Sequence, residues 1–138
     1  MGKLFPEQKT GCIMKKVLIV EDDAAQRVLY EMEISDMGYE VILARDGLEA
    51  VEKVTSQKPD VIILDLMLPN MHGLEALRKM LGINACLPVI INSAYSHYKD
   101  NFMSWAAEEY IVKSADLSML KNAIKRVLSS AKADIGVH

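Results

Sequence analysis

The chain has 138 residues, of which 51% are hydrophobic and 25% are charged, and its formal net charge is -3. This length suits one domain with a sizeable core. The charge balance provides no broad basic surface for nucleic acid, and no apolar run approaches the roughly 18 residues that a membrane helix needs. We therefore expect a cytoplasmic protein that binds neither nucleic acid nor membrane.

Apolar runs and helical periods alternate along the chain. Residues 1–13 precede the first apolar run, and we expect them to be a disordered extension of a domain at residues 14–133, with a tail at 134–138. Runs rich in Val and Ile predict five strands, at residues 15–20, 39–44, 60–64, 88–92 and 109–112. Helical spacing predicts five helices, at residues 24–37, 48–58, 73–81, 97–107 and 116–132.

The spacing of apolar residues also predicts which face of three helices is buried. In the first helix the predicted inward residues are Val28, Leu29, Met32 and Met37; in the second, Leu48, Val51 and Val54; in the last, Leu117, Leu120, Ile124, Val127 and Leu128. Asp116 is the candidate cap of the last helix.

Polar residues stand at the ends of four predicted strands. Glu21, Asp22 and Asp23 follow the first strand, Asp65 follows the third, Asn92 and Ser93 end the fourth, and Lys113 follows the fifth. Strands that alternate with helices form parallel sheets covered on both faces, and ligands bind such sheets beyond the carboxyl ends of the strands. These polar residues would share one pocket if the first and third strands are neighbours, as in the strand order 2-1-3-4-5.

The residue types at these strand ends suit phosphoryl transfer. Crowded carboxylates repel one another unless a cation joins them, and oxygen ligands without His or Cys favour Mg²⁺. The pocket would hold a nucleophilic carboxylate, a divalent ion, a fixed cation in Lys113 and a hydrogen-bond donor in Ser93. Asp65 is the candidate nucleophile.

Four segments resemble, in order, the receiver domain of bacterial two-component response regulators: VLIVEDD (17–23), VIILDLMLPNMHG (61–73), NSA (92–94) and YIVK (110–113). The resemblance covers nearly all of residues 15–132. It implies a flavodoxin-like α/β fold, that is, a doubly wound five-stranded parallel sheet in the order 2-1-3-4-5 with five helices. It also implies a signalling domain, not an enzyme, that assists its own aspartyl phosphorylation and dephosphorylation. Because only one predicted helix and a short tail follow Lys113, we expect this domain to be stand-alone.

The resemblance assigns Asp65 as the residue that accepts a phosphoryl group from a sensor histidine kinase or a histidine phosphotransfer protein. Mg²⁺ would be bound directly by Asp22, by Asp65 and by the backbone carbonyl of Met67. Glu21 would bind the ion through water.

The remaining roles concern the response to phosphate. Ser93, Ala94 and Lys113 would contact the phosphoryl oxygens, and Tyr110 would be the aromatic switch residue. Phosphorylation would then populate a minor conformation of the face formed by the fourth predicted helix, the fifth strand and the last helix. That face would bind an output protein, and the domain would be a monomer or would dimerise on phosphorylation.

The sequence departs from the family pattern in two places. The family usually places proline, after a cis peptide bond, where Ser114 follows Lys113 here. A cis bond before a residue other than proline costs ~3 to 4 kcal/mol, so we predict a trans bond. The stretch from Ser93 to Tyr110 is shorter than usual by about one or two residues, which predicts a trimmed fourth helix or loop.

Met67 and Tyr95 lie two positions beyond Asp65 and Ser93. The resemblance implies that side chains at these two positions flank the path of the hydrolytic water. Both are bulky, and neither is an acid or amide that would orient water. We therefore predict slow self-dephosphorylation.

Two other functions fit parts of the sequence. A receiver-like scaffold that binds partners without responding to phosphate is favoured by Ser114 and opposed by the complete set of Asp22, Asp65, Ser93 and Lys113. An aspartate-nucleophile phosphohydrolase would require a second acid two residues after the nucleophile, and that position is Met67.

Overall fold

The sheet of this protein has the predicted strand order. The computed structural model describes residues 14–96, 101 and 106–137. The strands are β1 (Lys16–Val20), β2 (Glu40–Ala44), β3 (Val61–Leu64), β4 (Val89–Ser93) and β5 (Glu109–Val112). They form one sheet in the order β2-β1-β3-β4-β5, and every neighbouring pair is parallel. The flavodoxin-like sheet is therefore confirmed, and β1 and β3 are neighbours.

Four helices lie within the described residues: α1 (Ala24–Ser35), α2 (Gly47–Gln57), α3 (Gly73–Ile83) and α4 (Ser118–Val137). Most of the helix predicted at residues 97–107 lies outside the described residues, and residues 1–13 lie wholly outside them. The last helix extends five positions beyond the predicted end at residue 132.

The core consists of two apolar layers, one on each face of the sheet. Alternate residues of a strand point to opposite faces, and in β3 Ile62 and Leu64 face one layer while Ile63 faces the other. The first layer contains buried residues of α2 and α3, such as Val54 and Leu77. The second contains buried residues of α1 and α4. Because all five strands are parallel, their carboxyl ends lie together at one end of the sheet, which is called here the carboxyl edge.

The predicted buried face is correct for α4 and wrong for α1. In α4, Leu120, Ile124, Val127 and Leu128 are buried and Leu117 packs against them. In α1 the predicted residues Val28, Leu29 and Met32 are 54%, 42% and 63% exposed. Tyr30 and Ile34 are buried instead, with Met37 packed beside them.

The error in α1 has a physical reason. Its sequence carries two apolar stripes at helical spacing, one through Val28 and Met32 and one through Tyr30 and Ile34. Both stripes suit a buried face, and the docking of α1 on the sheet selects the second. In α2, Leu48 is 58% exposed, contrary to prediction, while Val54 is buried and Val51 packs against the core as predicted.

Side-chain caps fix where the helices begin. The Asp23 side chain accepts the N–H of Gln26 at the start of α1, and the Asp46 side chain accepts the N–H of Glu49 at the start of α2, at 3.0 and 2.8 Å. Asp116 Oδ1 accepts the N–H of Ser118, the first residue of α4, at 2.9 Å. These caps satisfy N–H groups that have no partner within the helix.

Candidate functional site

One lysine ammonium joins two buried carboxylates at the carboxyl edge. Val20 and Leu64 pair in the register of β1 and β3, so the next residues, Glu21 and Asp65, leave the sheet side by side. Lys113 Nζ, arriving from β5, donates to Glu21 Oε1 at 2.7 Å and to Asp65 Oδ2 at 3.0 Å. Glu21 is 2% exposed and Asp65 is 6% exposed. Buried charges require such partners because each one otherwise costs several kcal/mol.

The pKa values of this group reflect burial and pairing. Burial raises the pKa of the Glu21 carboxyl, and the hydrogen bond and charge of Lys113 offset part of that rise. Burial alone would lower the pKa of Lys113, but its hydrogen bond to Glu21 and the charge of Asp65 raise it. The ammonium therefore stays charged at neutral pH.

Three carboxylates form a cluster that could hold a metal ion. Glu21, Asp22 and Asp65 each place an oxygen within 4.8 Å of the other two. Asp22 is exposed, whereas Glu21 and Asp65 are buried, so the cluster opens to solvent on the side of Asp22. A small group of carboxylate oxygens with room for water suits Mg²⁺. The donor atoms therefore fit the ion that the sequence predicts.

The loop after Asp65 is held against the end of β3. The N–H of Met67 donates to Asp65 Oδ1 at 3.1 Å, which orients the carboxylate. At Gly73 the chain passes so close to Leu66 that an added Cβ would lie 2.4 Å from the Leu66 Cα. Only glycine allows this approach, which explains the final residue of the motif.

Asn70 anchors the same loop to α2. It has a left-handed backbone conformation with φ of 69°, and its Nδ2 donates to Asp46 Oδ2 at 3.0 Å. Asn tolerates this conformation better than most residues. The loop that carries Met67 is thus fixed at both ends.

Ser93 and Lys113 are neighbours through the backbone. The N–H of Lys113 donates to the Ser93 carbonyl at 2.7 Å. The Ser93 side chain is fully buried, and its Oγ accepts the N–H of Tyr95 at 3.2 Å, while Ala94 is exposed. The half-buried Tyr110 donates from its hydroxyl to the Tyr95 carbonyl at 2.5 Å. Residues 93–95 are therefore hydrogen-bonded to Tyr110 on β5 and to Lys113, which directly follows β5.

The Lys113–Ser114 peptide is trans, as predicted, since the described residues contain no cis peptide bond. Lys113 nevertheless reaches both Glu21 and Asp65. Serine at position 114 therefore leaves the lysine in place.

Two further groups of contacts at the site have no signal in the sequence. Arg27 Nη1 donates to the backbone carbonyls of Glu21 and Asp22, at 2.8 and 2.9 Å. Asn92 Nδ2 donates to the Tyr30 hydroxyl at 3.1 Å, and that hydroxyl donates to Gln26 Oε1 at 3.0 Å. Burial is the main reason that the pKa of Tyr30 is raised. Both groups tie α1 to strand ends of the site.

No helix in the described part of the chain is both long enough and apolar enough to cross a membrane.

Comparison with known proteins shows which family the chain matches. The family model described as the response regulator receiver domain matches residues 17–125. Response regulator ArlR of Staphylococcus saprophyticus is 38% identical over 117 residues, which cover 83% of this chain and 53% of that protein. Response regulator MprA of Mycobacterium tuberculosis is 31% identical over 121 residues, with 86% and 53% covered. The chain thus spans about half the length of these curated relatives.

Solved structures agree with this match. Response regulator protein TrrA of Thermotoga maritima, in complex with Mg²⁺ and BeF, is 38% identical and superposes with a TM-score of 0.81, over 83% of this chain and all of TrrA. TrrA has also been solved in complex with the histidine kinase ThkA, with a TM-score of 0.78. A CheY-like receiver domain protein of Methanospirillum hungatei is 27% identical, with a TM-score of 0.84 over 88% of this chain and 99% of its own.

Proposed function

Since this chain belongs to the response regulator receiver domain family, we propose that it is a phospho-acceptor signalling switch in which Asp65 accepts the phosphoryl group. The observation that carries the assignment is the position of Lys113 Nζ, which binds Asp65 and Glu21 at the carboxyl edge. A lysine at this position can bind the phosphoryl oxygens when Asp65 is phosphorylated. Receiver domains are signalling domains, and we propose that this one assists its own phosphorylation and dephosphorylation.

Asp22 and Asp65 would bind Mg²⁺ directly, with the Met67 carbonyl as a third ligand and Glu21 acting through water. The short distances among the carboxylate oxygens support this set, and so does the Mg²⁺ complex of TrrA. Bound Mg²⁺ would offset the negative charge that gathers on the phosphoryl group during transfer.

The transfer needs a carboxylate oxygen of Asp65 in line with the donor. A P–O bond forms at Asp65 as the P–N bond of a phosphohistidine breaks. The Met67 N–H, which donates to Asp65 Oδ1, fixes the orientation of the nucleophile. The complex of TrrA with ThkA supports a histidine kinase as donor, and a histidine phosphotransfer protein has the same reactive group.

Phosphorylation would be read at the surface formed by β5 and α4, which we call the output face; the helix predicted at residues 97–107, which is also expected on this face, lies mostly outside the described residues. Ser93 and Ala94 would bind phosphoryl oxygens together with Lys113. Because the Lys113 N–H binds the Ser93 carbonyl and Tyr110 binds the Tyr95 carbonyl, a shift at residues 93–95 changes contacts along β5. The output face would then gain affinity for its partner protein.

The wider proposals follow from this switch. The receiver domain would occupy residues 14–133 and act in the cytoplasm, where it meets its kinase. Its output would be a change in protein binding, as a monomer or a phosphorylation-dependent dimer, without direct contact with nucleic acid or membrane.

The test is the intact mass of the wild-type protein and of Asp65→Asn after incubation with acetyl phosphate, with and without Mg²⁺. We expect a phosphoryl adduct that requires both Mg²⁺ and Asp65. An adduct of equal yield on Asp65→Asn would contradict the assignment. The absence of an adduct on both proteins, repeated with a histidine kinase as donor, would favour the phosphate-insensitive scaffold.

The lifetime of the phosphorylated state is a second prediction. Met67 and Tyr95 are 43% and 47% exposed, so both can be replaced without opening the core. We expect Met67→Asn with Tyr95→Asn to hydrolyse the aspartyl phosphate on the order of tenfold faster, because an amide can orient water where a thioether and a phenol do not. Met67→Leu is the control of matched size. The decay of the adduct, followed by mass, would count against the prediction if all three proteins decay alike.

A further inference from the structure

We propose that Arg27 is a positioning residue for the magnesium site, an inference that rests on the proposed function. No motif assigned a role to Arg27. It lies about one turn into α1, four residues after Asp23, the last of the acidic residues that follow β1.

The geometry of Arg27 is specific. Its Nη1 donates to the carbonyl oxygens of both Glu21 and Asp22, at 2.8 and 2.9 Å, and the first of these contacts is partly buried. The two carbonyls belong to the residues whose carboxylates form the metal cluster with Asp65. One guanidinium therefore holds the backbone of both acids.

A second set of contacts further restrains the backbone of Glu21 and Asp22. The Arg27 N–H donates to the Asp23 carbonyl at 2.9 Å, and the Asp23 N–H donates to Glu21 Oε2 at 3.2 Å. Residues 21–27 thus form a closed loop in which α1 is fixed to the end of β1. Because α1 is packed on the sheet through Tyr30 and Ile34, the Asp22 carboxylate is carried on an anchored backbone despite its exposure.

Arg27 could change the affinity for Mg²⁺ through two effects of opposite sign. As a positive charge near a cation, it would weaken Mg²⁺ binding. As an anchor of the ligand backbone, it would strengthen binding, and the loss of such outer contacts typically lowers metal affinity 10–100-fold. The charge is spread over a guanidinium that also bonds two carbonyl dipoles, so we expect the anchoring effect to dominate.

The test compares Mg²⁺ affinity by isothermal titration calorimetry for wild type, Arg27→Lys and Arg27→Met. Methionine keeps a long apolar side chain and removes every donor, while lysine keeps the charge and loses the planar fork. We expect about a tenfold weaker affinity for Arg27→Met, with Arg27→Lys between it and wild type. Arg126→Met is the matched control, because Arg126 pairs with Glu109 away from the carboxylate cluster.

A second readout separates positioning from a general loss of structure. At low Mg²⁺ the phosphorylation rate of Arg27→Met with acetyl phosphate should fall in parallel with metal binding, and saturating Mg²⁺ should return it to within about twofold of wild type. A rate that stays low at saturating Mg²⁺, or an affinity equal to or tighter than that of wild type, would overturn the inference. A wild-type protein that binds no Mg²⁺ would overturn the proposed function as well, so the two failures are distinguishable.

Discussion

The interior of β3 and the residue that follows it are almost equally buried, yet they have opposite effects on stability. Ile62, Ile63 and Leu64 are at most 2% exposed, and Asp65, one residue later, is 6% exposed. Burial of the three apolar side chains stabilises the fold by about 1.5–3 kcal/mol each. Burial of a carboxylate costs free energy that Lys113 must offset. The strand interior therefore stabilises the fold, whereas the buried charges at the carboxyl edge destabilise it by a smaller amount.

The largest effect is expected from a substitution in the interior of β3. Ile63→Ala would leave a cavity between the sheet and the layer of α1 and α4, and we expect it to lower the free energy of unfolding by about 2–5 kcal/mol. Met119→Ala, at a position that is 64% exposed, should change it by less than about 0.5 kcal/mol. Urea unfolding measures both.

The matching change at the edge is Asp65→Asn. We expect it either to lower the free energy of unfolding by less than about 1 kcal/mol or to raise it, because neutralising a buried acid removes its desolvation cost. If Asp65→Asn destabilised the protein as much as Ile63→Ala, the contrast between interior and edge would be wrong.

Removing the shared cation should have the next largest effect. Lys113→Met leaves Glu21 and Asp65 buried without their partner, and we expect a loss of about 2–3 kcal/mol at pH 7, reduced from the value for a fully buried pair because Lys113 retains access to solvent. Adding Asp65→Asn to Lys113→Met should restore part of the loss. Additive effects of the two substitutions in urea unfolding would show that the charges are not coupled.

A smaller effect is expected from the hydrogen-bond chain that ties α1 to β4. Tyr30→Phe removes the hydroxyl that accepts from Asn92, a side chain that is 4% exposed. An amide left without this acceptor costs about 1–2 kcal/mol. Tyr39→Phe is the control, since Tyr39 packs against the same layer and no hydrogen bond of its hydroxyl is found within the described residues. Equal losses from the two substitutions, measured by urea unfolding, would mean that the Asn92 contact contributes nothing.

The smallest effect concerns the cap of α2 and depends on pH. The hydrogen bond from the Glu49 N–H is the main cause that lowers the pKa of Asp46, and Asn70 and Arg45 add to it. A lowered pKa in the folded state means that this stabilisation is present above the ordinary pKa of aspartate and is lost as the pH falls through the lowered value. We expect Asp46→Ala to cost about 1 kcal/mol at pH 7.

Asp46→Asn separates the cap from its charge. Asparagine caps helices as well as aspartate does, but it does not titrate, so its stability relative to wild type should rise as the pH falls from 6 to about 3. Urea unfolding across this range measures the difference. A constant difference would contradict the proposed contribution of the Asp46 charge.

The sequence was sufficient for the strands and for most of the site, because both depend on short patterns. Runs of Val and Ile located all five strands to within about one residue, and the polar residues that follow them, such as Asp65 and Lys113, meet at one edge once the strand order is known. In α4 a single apolar stripe left one choice of buried face.

What the sequence could not supply are contacts that depend on how elements are rotated. In α1 two stripes competed, and only the packed structure selects Tyr30 over Val28. That rotation also directs Tyr30 at Asn92 and Arg27 at the carbonyls of Glu21 and Asp22. Each of these contacts joins α1 to a residue whose orientation no local pattern determines, so they were absent from the prediction.

The most direct test of the central claim is to locate the phosphoryl group. Wild-type protein phosphorylated by acetyl phosphate with Mg²⁺ is treated with borohydride, which reduces an aspartyl phosphate to homoserine, and its peptides are sequenced by mass spectrometry. We predict homoserine at position 65 and nowhere else. Homoserine at position 22 or 23 with Asp65 unchanged would contradict the account, because the acceptor would then lie on the β1 side of the cluster rather than at the end of β3.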